Sequence, residues 1–402
     1  MALTGVSSSL ISLGTVFKKG LLSRPSKLIK SPYVADVIDN GFEQNPFSVI
    51  DRDEELKKTH KKKKFDELGE KLRNESHPTL AHAPSLDCAG MVVHGTNCFV
   101  TENVGTTTKT AYTIQLAQEE REEGMVLVGY HPNLAEKAAK AMLSQNLFQE
   151  QFGNYDEQNI ESQKIFGNSR VDFVLHGTGE QNNILTLVEV KNVVGAEYLD
   201  GTVPVDRSPV GVYTISQEDQ LGDGKRHAMF PHGSTKPNIG VVSDRAIKHV
   251  VELGDLQGTL HAESGRTIQT AVLFIVNRSD CSAFRPAHEA CMMFSRCLMR
   301  SQKQGTIVLA RELVWELGEV QPNGGQTADA NAGELLPVLF HKSVKAEEVD
   351  EDLLRRVLQY NADVPKTRSP PPKSRRVNKD EDAGTIGSSK KKRTRKEKDI
   401  NE

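Results

Sequence analysis

The sequence predicts an α/β (α+β) chain in which a β-rich N-terminal domain precedes a mixed sheet flanked by helices. Three observations carry this. Residues 82–118 are rich in Gly, Thr and Val and hold short alternating pieces such as CFVTE and TAYTIQL, the pattern of half-buried strands. From residue 132 onward helical and strand patterns run in the order α, β, β, loop, α, β, α, β, which implies a sheet covered by helices. At 402 residues the chain also has room for two domains and tails.

Taken in order, residues 1–14 read as a short leader. The first thirty residues lack Asp and Glu and carry Lys18, Lys19, Arg24, Lys27 and Lys30, a composition shared with organelle transit peptides. Ser26 to Val37 (SKLIKSPYVADV) already reads as a strand entry around a Ser-Pro turn. Residues 15–125 form the β-rich domain, interrupted by a charged run with four lysines at Lys61 to Lys64 that reads as a solvated loop. Residues 126–320 form the second domain. Its first helix spans Pro132 to Phe148, with Pro suited to the first helical turn and Leu134, Ala138 and Met142 near helical spacing. Arg170 to Leu175 and Ile184 to Val190 read as strands, and Gly177, Gly179, Asn182 and Asn183 supply the turn between them. Residues 204–240 lack sustained periodicity and read as a loop insertion. A helix over 245–253, a buried strand over 271–276, a helix over 286–302 and a strand over 306–309 follow. Residues 321–363 are a C-terminal extension. Residues 364–402 are predicted to be disordered, having few large apolar side chains to offset ordering entropy.

The net charge of −3 conceals an asymmetry. The last 39 residues hold thirteen Lys/Arg against six Asp/Glu, a net of +7, which leaves −10 for the body. A binder of nucleic acid with this body must concentrate its basic groups locally. The tail carries KSRR (Lys373 to Arg376) and KKKRTRK (Lys390 to Lys396), which read as a two-part signal for a nuclear import receptor or, alternatively, as solvated charge. The expected location is the nucleus, with cytoplasm or an organelle as alternatives. No run is long and apolar enough for a membrane helix. Five cysteines without a CxxC pair indicate neither a disulfide framework nor a zinc site, and His94 and His131 lack a partner spacing for zinc.

The chemistry-bearing feature is Asp172 in one predicted strand and Glu189-Val190-Lys191 at the end of the next. Strand side chains alternate, so Glu189 and Lys191 share a face. If the strands pair as a hairpin, Asp172 joins them. Two converging carboxylates suit a hard cation, Mg²⁺ or Mn²⁺, which keeps several waters. A neighbouring lysine then orients or deprotonates an attacking water and stabilises developing charge. The alternative is a solvated Glu–Lys pair at a hairpin end, since a D-x16-E-x-K spacing alone is a loose motif.

The words around these residues resemble the sugar fermentation stimulation protein family. They are RPSKLIKSPYVADV (Arg24 to Val37), an A-G-M turn (Ala89 to Met91), VGYHPNLAEKAAKAML (Val128 to Leu143), SRVDFVLHG (Ser169 to Gly177), LVEVKNV (Leu187 to Val193), SDRAIKHVVEL (Ser243 to Leu253), TAVLFIVNRSD (Thr270 to Asp280) and FRPAHE (Phe284 to Glu289). The resemblance covers about residues 16–320 and implies an N-terminal OB-like β-barrel followed by a PD-(D/E)XK nuclease domain, in a eukaryotic member. It implies a metal-dependent nuclease acting on DNA or RNA, with a non-catalytic DNA-binding or regulatory protein as the alternative. The family's R-x-D-F and E-V-K words fall on Arg170, Asp172, Glu189 and Lys191, and its E-R-x-x-K-H word on Asp244, Arg245, Lys248 and His249. Asp172, Glu189 and Lys191 are then catalytic, the two carboxylates hold the metal, and Arg170, Arg245, Lys248 and His249 contact nucleic acid. This sequence departs from the family pattern at His232, at His288 and at Glu136, which stands where the family often has Asn.

OB-like barrels bind single strands with basic grooves and stacking aromatics. Arg24, Lys27 and Lys30 are the candidate phosphate contacts. Phe17, Tyr33, Phe47, Phe99 and Tyr112 are candidates for stacking, with core packing as the commoner role for such residues. Trp315 is expected to pack against the sheet.

Overall fold

The computed structural model describes residues 11–12, 18–23, 34–39, 80–84, 96–103, 110, 112–121, 124–166, 169–199, 213–215, 226–233, 235–320 and 326–363. It is a mixed α+β molecule with several mixed sheets and few helices. Strand β1 is Ile11–Ser12. The N-terminal sheet then comprises β2 (Lys18–Ser23), β3 (Val34–Asp39), β4 (Leu80–His82), β5 (Asn97–Glu102), β6 (Tyr112–Arg121) and β7 (Gly124–Gly129). Its order is β4-β3-β2-β5-β6-β7, and β4 at one end also pairs in parallel with β6. The alternation read from the sequence is visible in β6, where Tyr112, Ile114 and Leu116 are buried and Thr113 and Gln115 are not. Phe99 and Tyr112, candidates for stacking, are 1% and 5% exposed and belong to the core. Phe17, Tyr33 and Phe47 lie outside the described residues, as do the A-G-M turn, the lysine run and the basic tail.

Helix α1 (Pro132–Ser144) starts where the sequence places it, with Pro in the first turn and the His131 ring accepting from the Asn133 amide. A short α2 (Gln149–Phe152) follows, so the stretch to Phe148 is not one helix. Next come β8 (Glu161–Phe166), β9 (Ser169–His176), β10 (Ile184–Val193), β11 (Gly195–Ala196), β12 (Tyr198–Leu199), β13 (Thr214–Ile215) and β14 (Arg226–Phe230). Helix α3 is Asp244–Leu256, β15 is Thr267–Val276, β16 is Cys281–Pro286, α4 is Met292–Lys303, β17 is Ile307–Val320, β18 is Gln326–Leu336 and α5 is Glu351–Asp363.

The principal sheet has the order β1-β18-β17-β15-β10-β9-β8, with β17, β15 and β10 parallel at its centre and antiparallel strands outside them. Helices cover both faces, as the buried apolar runs of its central strands require. On one side α1 sets Leu134, Ala138 and Met142 against Val188, Leu273 and Ile275. On the other, Ile247 and Val250 of α3 and Phe294 of α4 lie with Leu187, Val272 and Phe274. Burying each such side chain contributes about 1.5–3 kcal/mol.

Several boundaries differ from the sequence reading. The 204–240 segment contains β14, which is mostly buried and runs parallel to β16. Its pattern RHAMF alternates no polar face because both faces are covered, so periodicity could not reveal it. Pro286 closes β16 rather than opening a helix, and α4 begins only at Met292. The 321–363 extension supplies β18, a strand of the principal sheet, and α5, whose Leu354 and Val357 join the core. Ile11 and Ser12, within the expected leader, pair with β18.

Candidate active site

Strands β9 and β10 pair antiparallel up to Val188↔Phe173. One step on, Glu189 and Asp172 stand across from each other, and there the ladder opens. The Val190 N–H that would continue it donates instead to Asp172 Oδ2 at 2.8 Å. This diversion leaves the two carboxylates facing each other where the hairpin opens. Glu189 and Lys191 share the face that Leu187 presents to α3, as period two demands.

Glu189 is almost wholly buried, and its Oε1 accepts from both Lys191 Nζ and His249 Nδ1 of α3. Burial pushes the Glu189 carboxyl up, but the Lys191 ammonium and the His249 hydrogen bond outweigh it and hold the pKa at about 2. Asp172 behaves oppositely. Burial and then the facing Glu189 charge raise its pKa, and the Val190 amide offsets only part of that. Its Oδ1 accepts from Gln163 Nε2 of β8 at 3.0 Å, and the same amide nitrogen donates to Glu136 Oε1 of α1 at 2.7 Å. Glu136 also adds to the raised pKa of Asp172.

The structure therefore brings Asp172, Glu189 and Lys191 together. Of the predicted basic partners among the described residues, only His249 joins them, and it does so as the buried companion of Glu189 rather than on an open phosphate-facing surface. Arg245 is exposed one helical turn before it, with Nε 3.4 Å from His249 Nε2. Lys248 turns to Glu252 on its own helix, at 3.6 Å. At i, i+3 and i+4 the three lie on one side of α3, and its packing on the sheet buries His249 while leaving Arg245 exposed. Arg170 is exposed on β9, away from the described hydrogen bonds of the cluster. Arg24, Lys27 and Lys30 lie outside the described residues. Gln163 went unnoticed in the sequence because a lone Gln in an edge strand carries no motif, and Glu136 stood out only as a departure.

The donor set fits a hard divalent cation. Two carboxylates with further lone pairs flank the opening of the ladder, and such a cation needs only one or two protein carboxylates beside its waters. Among the described residues no group of three or more His, Cys, Asp or Glu is placed to hold a metal ion, so a cation here would rest on the two carboxylates alone.

Residues 221–319 match the family model described as the sugar fermentation stimulation protein RE domain. Over those residues the chain is similar to the sugar fermentation stimulation family. It is 31% identical over 203 residues to the sugar fermentation stimulation protein homolog of Maricaulis maris, a match covering 50% of this chain and 65% of that protein. It is 26% identical over 232 residues to the homolog of Clostridium kluyveri, covering 58% and 78%. A solved structure of Pyrococcus furiosus SfsA in complex with Ca²⁺ superposes with a TM-score of 0.49 at 15% identity, covering 83% of this chain and 99% of that one. The chain thus spans just under two thirds of the Maricaulis relative.

Proposed function

We propose that this chain, similar to the sugar fermentation stimulation family, is a metal-dependent nuclease that hydrolyses phosphodiester bonds of DNA or RNA. The observation that carries it is the facing pair Asp172 and Glu189, in which one carboxyl is held ionised by Lys191 and His249 and the other is electrostatically strained by its neighbours. A surplus of buried negative charge is costly unless something positive answers it. Bound between the carboxylates, Mg²⁺ or Mn²⁺ would polarise a phosphoryl oxygen and acidify a water. Asp172 and Glu189 would hold it. Lys191, kept beside Glu189, places a positive charge where the phosphorane develops and can order the attacking water. His249 keeps Glu189 aimed along β10.

The N-terminal sheet supports the finer reading of an OB-like unit, because β4 pairs with both β3 and β6 and so links the two ends of the four-strand run β3-β2-β5-β6. OB-like folds commonly track single strands. The basic tail, with its two Lys/Arg clusters, supports import into the nucleus of a eukaryotic cell.

The test is single-turnover cleavage of labelled single- and double-stranded DNA and RNA in Mg²⁺, Mn²⁺ or EDTA. Cutting is expected only with a cation. Asp172→Asn and Glu189→Gln should abolish it while keeping or tightening nucleic-acid binding, since each removes a charge that repels phosphate. Undiminished cutting in EDTA, or a folded variant within about threefold of wild type, roughly 0.7 kcal/mol in barrier, overturns the proposal.

A further inference from the structure

The TAVLFIVNRSD word ends in a turn that the candidate site does not use. Asn277, the first residue after β15, is fully buried, and a buried amide must find partners for both its ends. Trp315 of β17 settles which end points where. Its indole nitrogen can only donate, and it donates to Asn277 Oδ1 at 2.5 Å. The Asn277 Nδ2 is thereby turned to Asn192 of β10, whose Oδ1 accepts at 3.0 Å. The backbone of the same residue joins two more segments. Its N–H donates to the Val193 carbonyl, and its carbonyl accepts from Gly129, the last residue of β7, each at 2.8 Å. Gly129 has no positive φ, so its backbone would take any side chain, but the space around it would not. A Cβ there would lie 2.0 Å from Asn277 Oδ1, and only glycine lets the N-terminal sheet come this close.

This joint grips β10 just past its chemistry. Among the described pairings, β9 leaves β10 after Val188, and from Glu189 to Val193 the strand is laddered to β15 alone. Asn192, Val193 and Val194 are then held in succession by the turn, the last through its carbonyl and Arg278 Nη1 at 3.0 Å. Lys191 immediately precedes the first of these holds and faces the other side of the sheet. We propose that Asn277 is a positioning residue for Lys191. Acting through Asn192, it fixes the unpaired side of β10 against β7, so that the Lys191 ammonium stays on Glu189 and the N-terminal sheet belongs to the frame of the site. The use of Lys191 in cutting rests on the reading above, whereas its placement does not.

The test labels the amines of the folded full chain with acetic anhydride and reads each lysine by mass spectrometry, without any cutting assay. In the wild type Lys191, whose side chain is 12% exposed and lies on Glu189, should react far more slowly than Lys345, 57% exposed. Asn277→Leu, close in volume, removes both side-chain hydrogen bonds. Asn192→Ala removes only the one to β10 and decides the matter if the buried change unfolds the chain. Each should speed labelling of Lys191 roughly tenfold, the opening expected when a buried hydrogen bond of ordinary strength is lost, and leave Lys248 on α3 unchanged. An equal rise at both lysines, or an unchanged Lys191 in the folded variants, overturns the positioning role. In single-turnover cutting the same variants should be slower by about tenfold or more. Combined with Lys191→Ala they should slow it no further, because they act through that residue, and losses that multiply overturn the role as well. If the wild type cuts nothing, the nuclease reading falls and the labelling still decides what places Lys191.

Discussion

Two buried charge clusters in this molecule have opposite character. Where the N-terminal sheet meets the principal one, Arg278 is fully buried and its guanidinium donates to both Asp280 oxygens at 2.5 Å, to Glu119 Oε2 at 3.1 Å and to the Val194 carbonyl at 3.0 Å. Arg226 donates to Asp280 at 2.5 Å and lies 3.8 Å from Glu119. Two guanidiniums thus meet two carboxylates. At the candidate site, Lys191 and His249 attend a single oxygen of Glu189, while Asp172 and Glu136 share one neutral amide. The first cluster is balanced and closed, and it ties β6 to the β15–β16 turn. The second carries surplus negative charge, and the proposed cation site rests on that surplus. Burial alone does not mark a functional site; imbalance does.

The comparison breaks most visibly at Arg278. Arg278→Met should destabilise the protein by on the order of 3–5 kcal/mol, because removing one partner strands buried carboxylates, and chemical denaturation would show it. A loss below about 1 kcal/mol would mean the cluster is not a structural tie. At the other cluster, Lys191→Ala should lower cutting by roughly 10²–10³, or about 2.7–4 kcal/mol of transition-state stabilisation, yet leave the fold intact by circular dichroism and Mn²⁺ binding in place. Parallel loss of stability and activity there would erase the distinction between the clusters.

Acid should sharpen the same contrast. Burial pushes the Asp280 carboxyl up, but Arg278 and Arg226 outweigh it and leave it well below its ordinary value of 3.8. The folded state therefore binds fewer protons there than the unfolded state. The stability that Asp280 contributes is fully present above its unfolded pKa and drains away as pH falls through and below that value. Thermal melts of wild type and Asp280→Asn should converge as pH is lowered below about 4, the ordinary carboxylate range. Asp172, raised by burial and by Glu189, works in the other direction: its ionised form costs stability near neutrality, so Asp172→Asn should melt no lower than wild type at pH 7. The smallest effect belongs to the exposed Arg355–Asp352 pair on α5, 2.9 Å apart, where Arg355→Ala should change stability within about 0.5 kcal/mol.

The sequence by itself determined the strands that carry Asp172, Glu189 and Lys191, because period-two alternation and a Gly/Asn turn are local signals that survive without a partner. It also determined where α1 begins, through Pro132, and that β15 is buried on both faces, through an unbroken apolar run. Only the tertiary structure decided which residues surround those carboxylates. His249 reaches Glu189 across 60 residues, and Gln163 reaches Glu136 across 27 and Asp172 across 9. Packing of α1 and α3 on opposite faces of the sheet sets those encounters, and no local period encodes them. The same cause hid β14, whose strand is defined by its parallel partner β16 more than 50 residues on, and β18, which the sequence left in an extension. A strand covered on both sides shows no alternation, and a strand such as β18, laid between β17 and β1, is made by the sheet it joins. Local chemistry named the triad, and long-range packing decided that one of its carboxylates is held ionised while the other is raised toward protonation.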